Sequence, residues 1–277
     1  MKHVKLPNGT EVPALGLGTW KMAEHSRKRK QEIAAIQRAI DLGMTVIDTA
    51  EMYGEGAAEE LVGEAIHGRR ADVFLVTKVY PHNATAAGTI AACERSLRRL
   101  RVDSIDLYLL HWRGSVPLAE TLEAFEKLLK RGDIASYGVS NFDTPDLEET
   151  WALPFGSGIA CDQILYNLKR RGVEYDLLPW CREHHVPVIA YSPVEQGRLL
   201  KDPKLREIAE RHTVTPSQLA IAWLLAQPEV IVVPKSAFVK HVEENRAAAD
   251  INLTEDDLAR IDAIFPRPKT RKPLEML

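Results

Sequence analysis

The sequence predicts an α/β fold, a closed (β/α)8 TIM barrel, from three observations. Short apolar runs alternate with amphipathic segments along the 277 residues. The runs are continuously apolar, which is typical of parallel strands that are buried on both faces. Eight such runs are present, and eight strand–helix units in a chain of this length favour a closed barrel over an open doubly wound sheet.

The chain begins with a predicted short N-terminal β-hairpin that caps the bottom of the barrel. Residues 2–6 and 10–14 flank the turn Pro7-Asn8-Gly9, and an Asn-Gly pair supplies the positive φ angles that a tight turn needs. The eight barrel strands are then predicted at residues 15–17, 46–47, 73–76, 105–110, 134–139, 159–163, 186–191 and 230–233.

Amphipathic helices are predicted between the strands. In one of them, Leu118, Leu122, Phe125 and Leu129 recur with the helical period of about 3.6 residues. A prior of about 150 residues per domain would allow nearly two domains, but no linker or change of composition divides the chain. We therefore expect a single barrel domain over residues 1–277.

Composition excludes several classes of protein. The 36 Lys and Arg residues against 39 Asp and Glu residues give a net charge of −3, whereas a general nucleic-acid binder carries a positive excess.

The three cysteines are widely spaced, as suits reduced thiols. No apolar run reaches the ~18 residues of a membrane span, and the first residues lack the apolar core of a signal peptide. We expect a cytoplasmic monomer that binds neither nucleic acid nor membrane.

Polar residues follow every predicted strand. They are Gly18-Thr19-Trp20, Asp48, Lys78, His111, Ser140-Asn141, Gln163, Tyr191-Ser192 and Lys235-Ser236. A barrel of this type collects its function at the carboxyl ends of its strands. A purely structural barrel gives no reason for such a pattern, whereas one large ligand across the mouth would. The sequence therefore predicts a ligand site at the mouth.

Four residues at consecutive strand ends, Asp48, Tyr53, Lys78 and His111, form an acid–base set. The pKa of a tyrosine is ordinarily about 10, and a lysine ammonium beside Tyr53 is expected to lower that pKa. Asp48 would keep Lys78 charged, and His111 would add a neutral donor. Each residue alone has an ordinary structural explanation, as a turn cap, a surface lysine or a core side chain. Together they favour protonation of a substrate oxygen.

Several motifs resemble signatures of the aldo-keto reductase superfamily. They are Asp48-Thr49-Ala50-(x)2-Tyr53-Gly54, Leu109-Leu110-His111-Trp112, Gly138-Val139-Ser140-Asn141-Phe142, Tyr191-Ser192-Pro193, and Pro234-Lys235-Ser236 followed by Glu244-Asn245. The resemblance runs from the hairpin to about residue 265, and it is strongest to small bacterial members that reduce methylglyoxal and similar aldehydes.

The resemblance implies NADPH-dependent carbonyl reduction without a Rossmann fold. Tyr53 would be the general acid, Lys78 and Asp48 would adjust the pKa of Tyr53, and His111 would orient the carbonyl group. Amide and hydroxyl groups would hold the nicotinamide, with Tyr191 stacked on the ring. The implied cofactor-binding residues are Gly18, Thr19, Trp20, Asp48, Ser140, Asn141, Gln163, Tyr191, Ser192, Pro193, Val194, Gly197, Leu199, Pro234, Lys235, Ser236, His241, Glu244 and Asn245.

Cofactor choice depends on the last strand end. The resemblance implies that Lys235 and Ser236 bind the 2′-phosphate of NADPH. NADH lacks this phosphate and cannot make the charge-assisted contact. Phe238 stands where the family usually has Thr or Ser, and His241 stands where an Arg often stacks on the adenine. Asp162 stands where an Asn usually precedes the ring-binding Gln. We expect NADPH, with NADH bound more weakly but less strongly rejected than is usual in the family.

The substrate side is predicted to be lined by Trp20, Met52, Tyr80, His111 and Trp112. The tail after Phe265 has only twelve residues, whereas longer family members use this segment to close over bulky substrates. The resemblance therefore implies an open pocket that accepts small-molecule carbonyl substrates, such as methylglyoxal and aromatic aldehydes.

Two other functions were weighed. A redox-sensing NADPH-binding barrel subunit of a partner protein could keep the same four residues without significant turnover, but no appended domain or coiled-coil heptad supports it. A metal-dependent barrel hydrolase is disfavoured, because no His-x-His follows a strand and His184-His185 lacks a metal-ligand spacing.

Overall fold

The computed structural model describes all 277 residues. The hairpin consists of β1 (His3–Lys5) and β2 (Glu11–Pro13). The barrel strands are β3 (Leu17–Gly18), β4 (Val46–Asp48), β5 (Phe74–Val79), β6 (Leu107–Leu110), β7 (Tyr137–Ser140), β8 (Asp162–Leu165), β9 (Val188–Tyr191) and β10 (Val230–Val232). The helices are α1 (Arg29–Asp41), α2 (Ala57–Ala65), α3 (Ala86–Leu100), α4 (Leu118–Arg131), α5 (Thr144–Ala152), α6 (Leu177–Glu183), α7 (Pro203–Arg211), α8 (Pro216–Ala226), α9 (Val239–Ala247) and α10 (Glu255–Ile264).

The eight parallel strands form one sheet that closes on itself. Neighbours follow chain order from β3 to β10. The seam is closed by parallel bridges from Leu15 to Val232 and from Gly18 to Lys235. Helices connect the successive strands, and two of these helices, α7 and α8, lie between β9 and β10. The predicted TIM barrel is confirmed.

The hairpin lies at the amino ends of the strands. Val4 faces Val12 across the two short strands, and Gly9 has the positive φ of 89° that the turn requires. Lys2 Nζ donates a hydrogen bond of 2.8 Å to the carbonyl oxygen of Gln227, just before β10 begins. This contact fixes the hairpin to the bottom of the barrel, as predicted.

Several strand boundaries differ from the predicted ones by one to three residues. Ile105 and Ile134 were assigned to strands, but only an isolated bridge joins them before the regular ladder begins, because buried apolar residues also occur in the connecting turns. The third barrel strand, predicted to end at residue 76, continues through Thr77, Lys78 and Val79. Lys78 is therefore part of β5. The prediction ended the strand too early because it relied on runs of apolar residues, and lysine is polar.

The core extends through the barrel and under its helices. One cluster of 74 buried apolar residues runs from Val4 to Phe265. α8 is apolar around its whole circumference, and all residues from Leu219 to Leu225 are buried, as expected for a helix covered on every side. No helix has both the length and the apolar character that crossing a bilayer requires.

Candidate active site

A cavity of about 700 Å³ opens at the carboxyl ends of the strands. The predicted residues that line it are Gly18, Trp20, Asp48, Met52, Tyr53, His111, Trp112, Ser140, Asn141, Gln163, Tyr191, Ser192, Pro193, Val194, Gly197 and Lys235. Five further lining residues were not predicted: Lys21, Gln196, Val233, Met276 and Leu277. The cavity has the size range of small-molecule and cofactor sites.

The floor of the cavity holds a buried ion pair. Lys78 Nζ lies 2.8 Å from Asp48 Oδ1, with side-chain exposures of 0% and 4%. It also donates to the carbonyl oxygen of Thr49 at 2.7 Å. β4 pairs with β5 so that Asp48 lies beside Val76, and Lys78 is two residues further on, where alternation returns the side chain to the same face. The pairing of the two strands thus sets the ion pair.

Tyr53 lies above this pair. It begins a turn after β4, in which Gly54 and Glu55 have positive φ angles of 57° and 55°. The Tyr53 hydroxyl is 3.4 Å from Lys78 Nζ. Desolvation and the negative charge of Asp48 raise the pKa of Tyr53 well above its ordinary value. The expected lowering of this pKa is therefore not found in the protein without ligand, because desolvation, the largest cause, and Asp48 both act in the opposite direction.

His111 is the neutral member of the set. Only 8% of the residue is exposed, and burial, followed by the charge of Lys78, lowers the pKa of His111 to about 2. The imidazole packs edge to face on Tyr53, with ring centroids 5.7 Å apart. Its Nδ1 atom is buried without a hydrogen-bond partner.

Amide and hydroxyl groups continue from this floor along one wall. Gln163 Nε2 donates to Asp48 Oδ1 at 2.8 Å, and Ser140 Oγ donates to the carbonyl oxygen of Gln163 at 2.8 Å. Tyr191 Oη donates to Asn141 Oδ1 at 2.8 Å. These four side chains come from three consecutive strands, β7 to β9, or from the residue after them. They present donors and acceptors of the kind that recognise a carboxamide.

Behind this wall lies Asp162, the residue where an Asn was expected. It is fully buried, and neither carboxyl oxygen has a hydrogen-bond partner that meets ordinary geometry. Burial raises the pKa of Asp162 well above its ordinary value. The residue alternates with Gln163 along β8, so it lies on the outer face of the barrel and not in the cavity.

Nine predicted residues do not line the cavity: Thr19, Lys78, Tyr80, Leu199, Pro234, Ser236, His241, Glu244 and Asn245. Lys78 lies below the floor. Tyr80 packs against Trp112 at a ring distance of 5.0 Å, so it supports the lining and does not belong to it. Leu199 is fully buried in the core.

The residues beyond β10 include buried and exposed positions, and Ser236 and Asn245 are buried. Lys235, Phe238 and His241 are exposed, and the rings of Phe238 and His241 are 5.4 Å apart. Ser236 Oγ is directed to the backbone of Phe238, with its donor bond to the carbonyl oxygen at 3.1 Å.

The tail reaches the cavity. Met276 and Leu277 line it while remaining 59% and 46% exposed, and the open pocket stays a prediction. The local sequence of residues 266–277 does not predict the course of this segment along the protein. The segment has no regular secondary structure, and residues distant in the chain hold it in place.

The barrel, its mouth and the four clustered residues define an oxidoreductase of the aldo/keto reductase family. The profile of that family matches residues 14–265, and the chain belongs to it. The predicted family is confirmed.

Named relatives agree with this class. Methylglyoxal reductase YeaE of Escherichia coli strain K12 is 47% identical, with 100% of this chain and 99% of the relative covered. Glyoxal reductase of Bacillus subtilis strain 168 is 36% identical, with coverages of 94% and 92%. The crystal structure of an aldo/keto reductase from Klebsiella pneumoniae in complex with NADP and acetate superposes with a TM-score of 0.98 and 49% identity, covering 100% of this chain and 99% of that one.

Proposed function

We propose that this protein reduces aldehydes and α-dicarbonyls to alcohols with NADPH, and that Tyr53 donates the proton. The observation that carries the proposal is the position of the Tyr53 hydroxyl, 3.4 Å from the Lys78 ammonium at the floor of a cavity that also exposes neutral His111. The names of the Escherichia coli and Bacillus subtilis relatives support the substrate class.

The residues present fit NADPH. The wall of Ser140, Asn141 and Gln163 offers donors and acceptors for the nicotinamide carboxamide, and Tyr191 offers a ring for stacking. At the other end of the cavity, Lys235 offers a cation for a phosphate. NADP bound to the Klebsiella pneumoniae relative supports this choice. When bound, NADPH supplies the hydride that the carbonyl carbon receives.

The protein's own residues donate the proton and stabilise the anion that is left. Because its pKa is raised, Tyr53 is protonated at neutral pH and can donate. As the carbonyl carbon gains the hydride, the oxygen takes the proton from Tyr53 Oη, and the resulting tyrosinate lies beside Lys78 Nζ. The ammonium stabilises that anion, and a proton from solvent restores the tyrosine. His111, neutral throughout because of its low pKa, orients the carbonyl oxygen without competing as an acid.

The substrate side of the cavity is apolar. Trp20, Met52, Trp112, Met276 and Leu277 line it, and none of these side chains carries a charge. We infer a preference for uncharged carbonyl compounds, with methylglyoxal and aromatic aldehydes as the candidates to assay.

The substitution Tyr53→Phe tests the proposal. We expect NADPH to bind as before, while NADPH consumption with methylglyoxal or a nitrobenzaldehyde falls by about 10²- to 10⁴-fold, the usual contribution of a general acid. Tyr175→Phe is the matched control, because Tyr175 is 49% exposed and does not line the cavity. Near-normal consumption by Tyr53→Phe would exclude Tyr53 as the proton donor.

The same assay separates an enzyme from a redox-sensing subunit, since the latter would bind NADPH without turnover on any carbonyl compound of the panel.

We further propose that residues 1–277 form one domain, which the single core cluster supports, and that the protein is monomeric. Size-exclusion chromatography should then give a mass near 31.0 kDa. The cytoplasmic location and the lack of a nucleic-acid partner stay predictions.

A further inference from the structure

Two ion pairs fasten the tail, residues 266–277, to one segment of the chain, and Arg271 also lies 3.9 Å from Asp143 Oδ2. That segment, residues 167–176, follows β8 and is called the clasp segment here. Arg271 Nε lies 3.0 Å from Asp176 Oδ2, and Glu275 pairs with Arg170. Between these two ion pairs the tail passes so close to Gly172 that a Cβ there would be 3.1 Å from Lys272 Cβ.

The same clasp segment holds a second piece of the cavity wall, the loop of residues 192–198. Glu195 of this loop is only 2% exposed, and its carboxylate lies 2.8 Å from Arg170 Nη2. Asn167 Nδ2 donates to the other Glu195 oxygen at 2.9 Å and to the carbonyl oxygen of Ser192 at 2.9 Å. The clasp segment therefore contacts both elements.

The 192–198 loop needs such support. Ser192, Glu195 and Gln196 all have positive φ angles, of 50° to 52°, a region that residues with a Cβ rarely occupy. Conformations of this kind persist only where surrounding contacts hold them. The contacts that hold Glu195 come from Asn167, Arg170 and Arg198, so the loop depends on the clasp segment for its shape.

One guanidinium joins the two elements. Arg170 uses Nε and Nη2 for Glu195, at 3.0 Å and 2.8 Å, and Nη1 for Glu275. A planar guanidinium can serve two carboxylates at once on different edges, which the point charge of a lysine cannot do with the same geometry. Glu275 is followed directly by Met276 and Leu277, which line the cavity.

We propose that Arg170 is a positioning residue that couples the 192–198 loop to the tail, so that ordering one orders the other. The coupling links the wall predicted to hold NADPH to the wall that bounds the substrate, and in this respect it rests on the proposed function. Because binding free energies are reciprocal, NADPH that orders the loop also favours the docked tail. The tail in turn strengthens NADPH binding by the same factor.

Hydrogen exchange measured by mass spectrometry tests the coupling with Glu275→Gln, which leaves the Arg170–Glu195 pair in place. In the protein without cofactor, we expect faster exchange in the tail and also in the 192–198 loop. In the wild type, NADPH is expected to slow exchange in the tail, and Glu275→Gln is expected to abolish that effect. An unchanged loop in the cofactor-free variant would overturn the coupling whatever the protein binds.

Kinetics provide the second readout. Glu275→Gln is expected to weaken NADPH binding by about two- to fivefold, the range of a partly exposed ion pair, and to raise the KM for methylglyoxal while kcat changes little. Arg170→Lys is expected to have an effect of similar size, because a lysine also keeps only one of the two contacts. A fall in kcat alone would contradict a positioning role.

Arg260→Gln is the matched control. It removes an ion pair with Asp256 in which the arginine is 50% exposed, and neither residue belongs to the tail, the loop or the clasp segment. It should behave as the wild type in both measurements. If the wild type binds no NADPH, the proposed cofactor is wrong, while the cofactor-free exchange of Glu275→Gln still decides whether Arg170 couples the two elements.

Discussion

The two ends of the cavity hold their charges in opposite ways. At the acid–base end, Lys78 and Asp48 are almost completely buried and bond directly to one another. At the end near β10, Lys235 is exposed to solvent, and partial burial lowers its pKa from the ordinary value. A fully desolvated charge changes the pKa of its neighbours strongly, whereas a charge that solvent reaches can attract a ligand at a lower desolvation cost. Under the proposed function, proton transfer would therefore use buried charges and phosphate binding an accessible charge within one cavity.

The largest effect is expected at the buried end, from Lys78→Met. This change leaves Asp48 as a buried charge that keeps only the Gln163 hydrogen bond, and breaking a buried pair typically costs about 3–5 kcal/mol. We expect a clearly lower Tm together with loss of turnover.

The control for this change is Lys127→Met, whose lysine is 51% exposed in a surface pair with Glu123. It should alter stability by less than about 1 kcal/mol. A wild-type Tm for Lys78→Met would mean that the ion pair is not needed to compensate Asp48, and the contrast between the two ends would be lost.

An intermediate effect is expected from Asp162→Asn, and its size should depend on pH. Burial raises the folded-state pKa of Asp162, so the folded protein holds a proton that the unfolded chain releases. This group's contribution to stability is complete below its ordinary pKa of about 3.9 and is lost as the pH rises towards the raised pKa. The loss amounts to about 1.4 kcal/mol per pH unit. Asparagine does not ionise, so the variant should gain over the wild type as pH rises.

Urea unfolding between pH 5 and pH 8 measures this gain. Asp250→Asn is the control, since its carboxylate is 68% exposed in a pair with Arg246 and should give a difference from the wild type that does not grow with pH. Parallel stability curves for Asp162→Asn and the wild type would contradict a raised pKa for Asp162.

The smallest effect is expected at the exposed end, from His241→Arg. A guanidinium there can stack on an adenine and pair with a phosphate, and an exposed contact of this kind is worth about 0.5–1 kcal/mol. We expect NADPH to bind about two- to fivefold more tightly and the preference over NADH to rise. His241→Lys adds charge without the planar group. Equal gains from Lys and Arg would show that charge alone is responsible, and no gain from either would place the phosphate elsewhere.

Much of the site could be predicted because strand ends share one edge. Once eight parallel strands are assigned, residues such as Asp48, His111 and Gln163 must meet at the mouth, whatever the loops do. The error at Lys78 was small, since a shift of strand boundary leaves the residue at the same end of the barrel. Tyr80 was a different case: its distance from a strand end was correct, but packing against Trp112 decided which of the two rings faces the cavity.

The sequence by itself determined the barrel, the hairpin and the family, because these depend on periodicity and on motifs that are local in the chain. The tertiary structure alone decided the direction of the Tyr53 pKa, which depends on desolvation by the surrounding protein and on the charge of Asp48. It also decided the path of the tail, because Glu275 finds Arg170 across 105 residues of sequence. Local patterns carry no information on such contacts, since the fold creates them only when distant strand ends and the tail converge on one mouth.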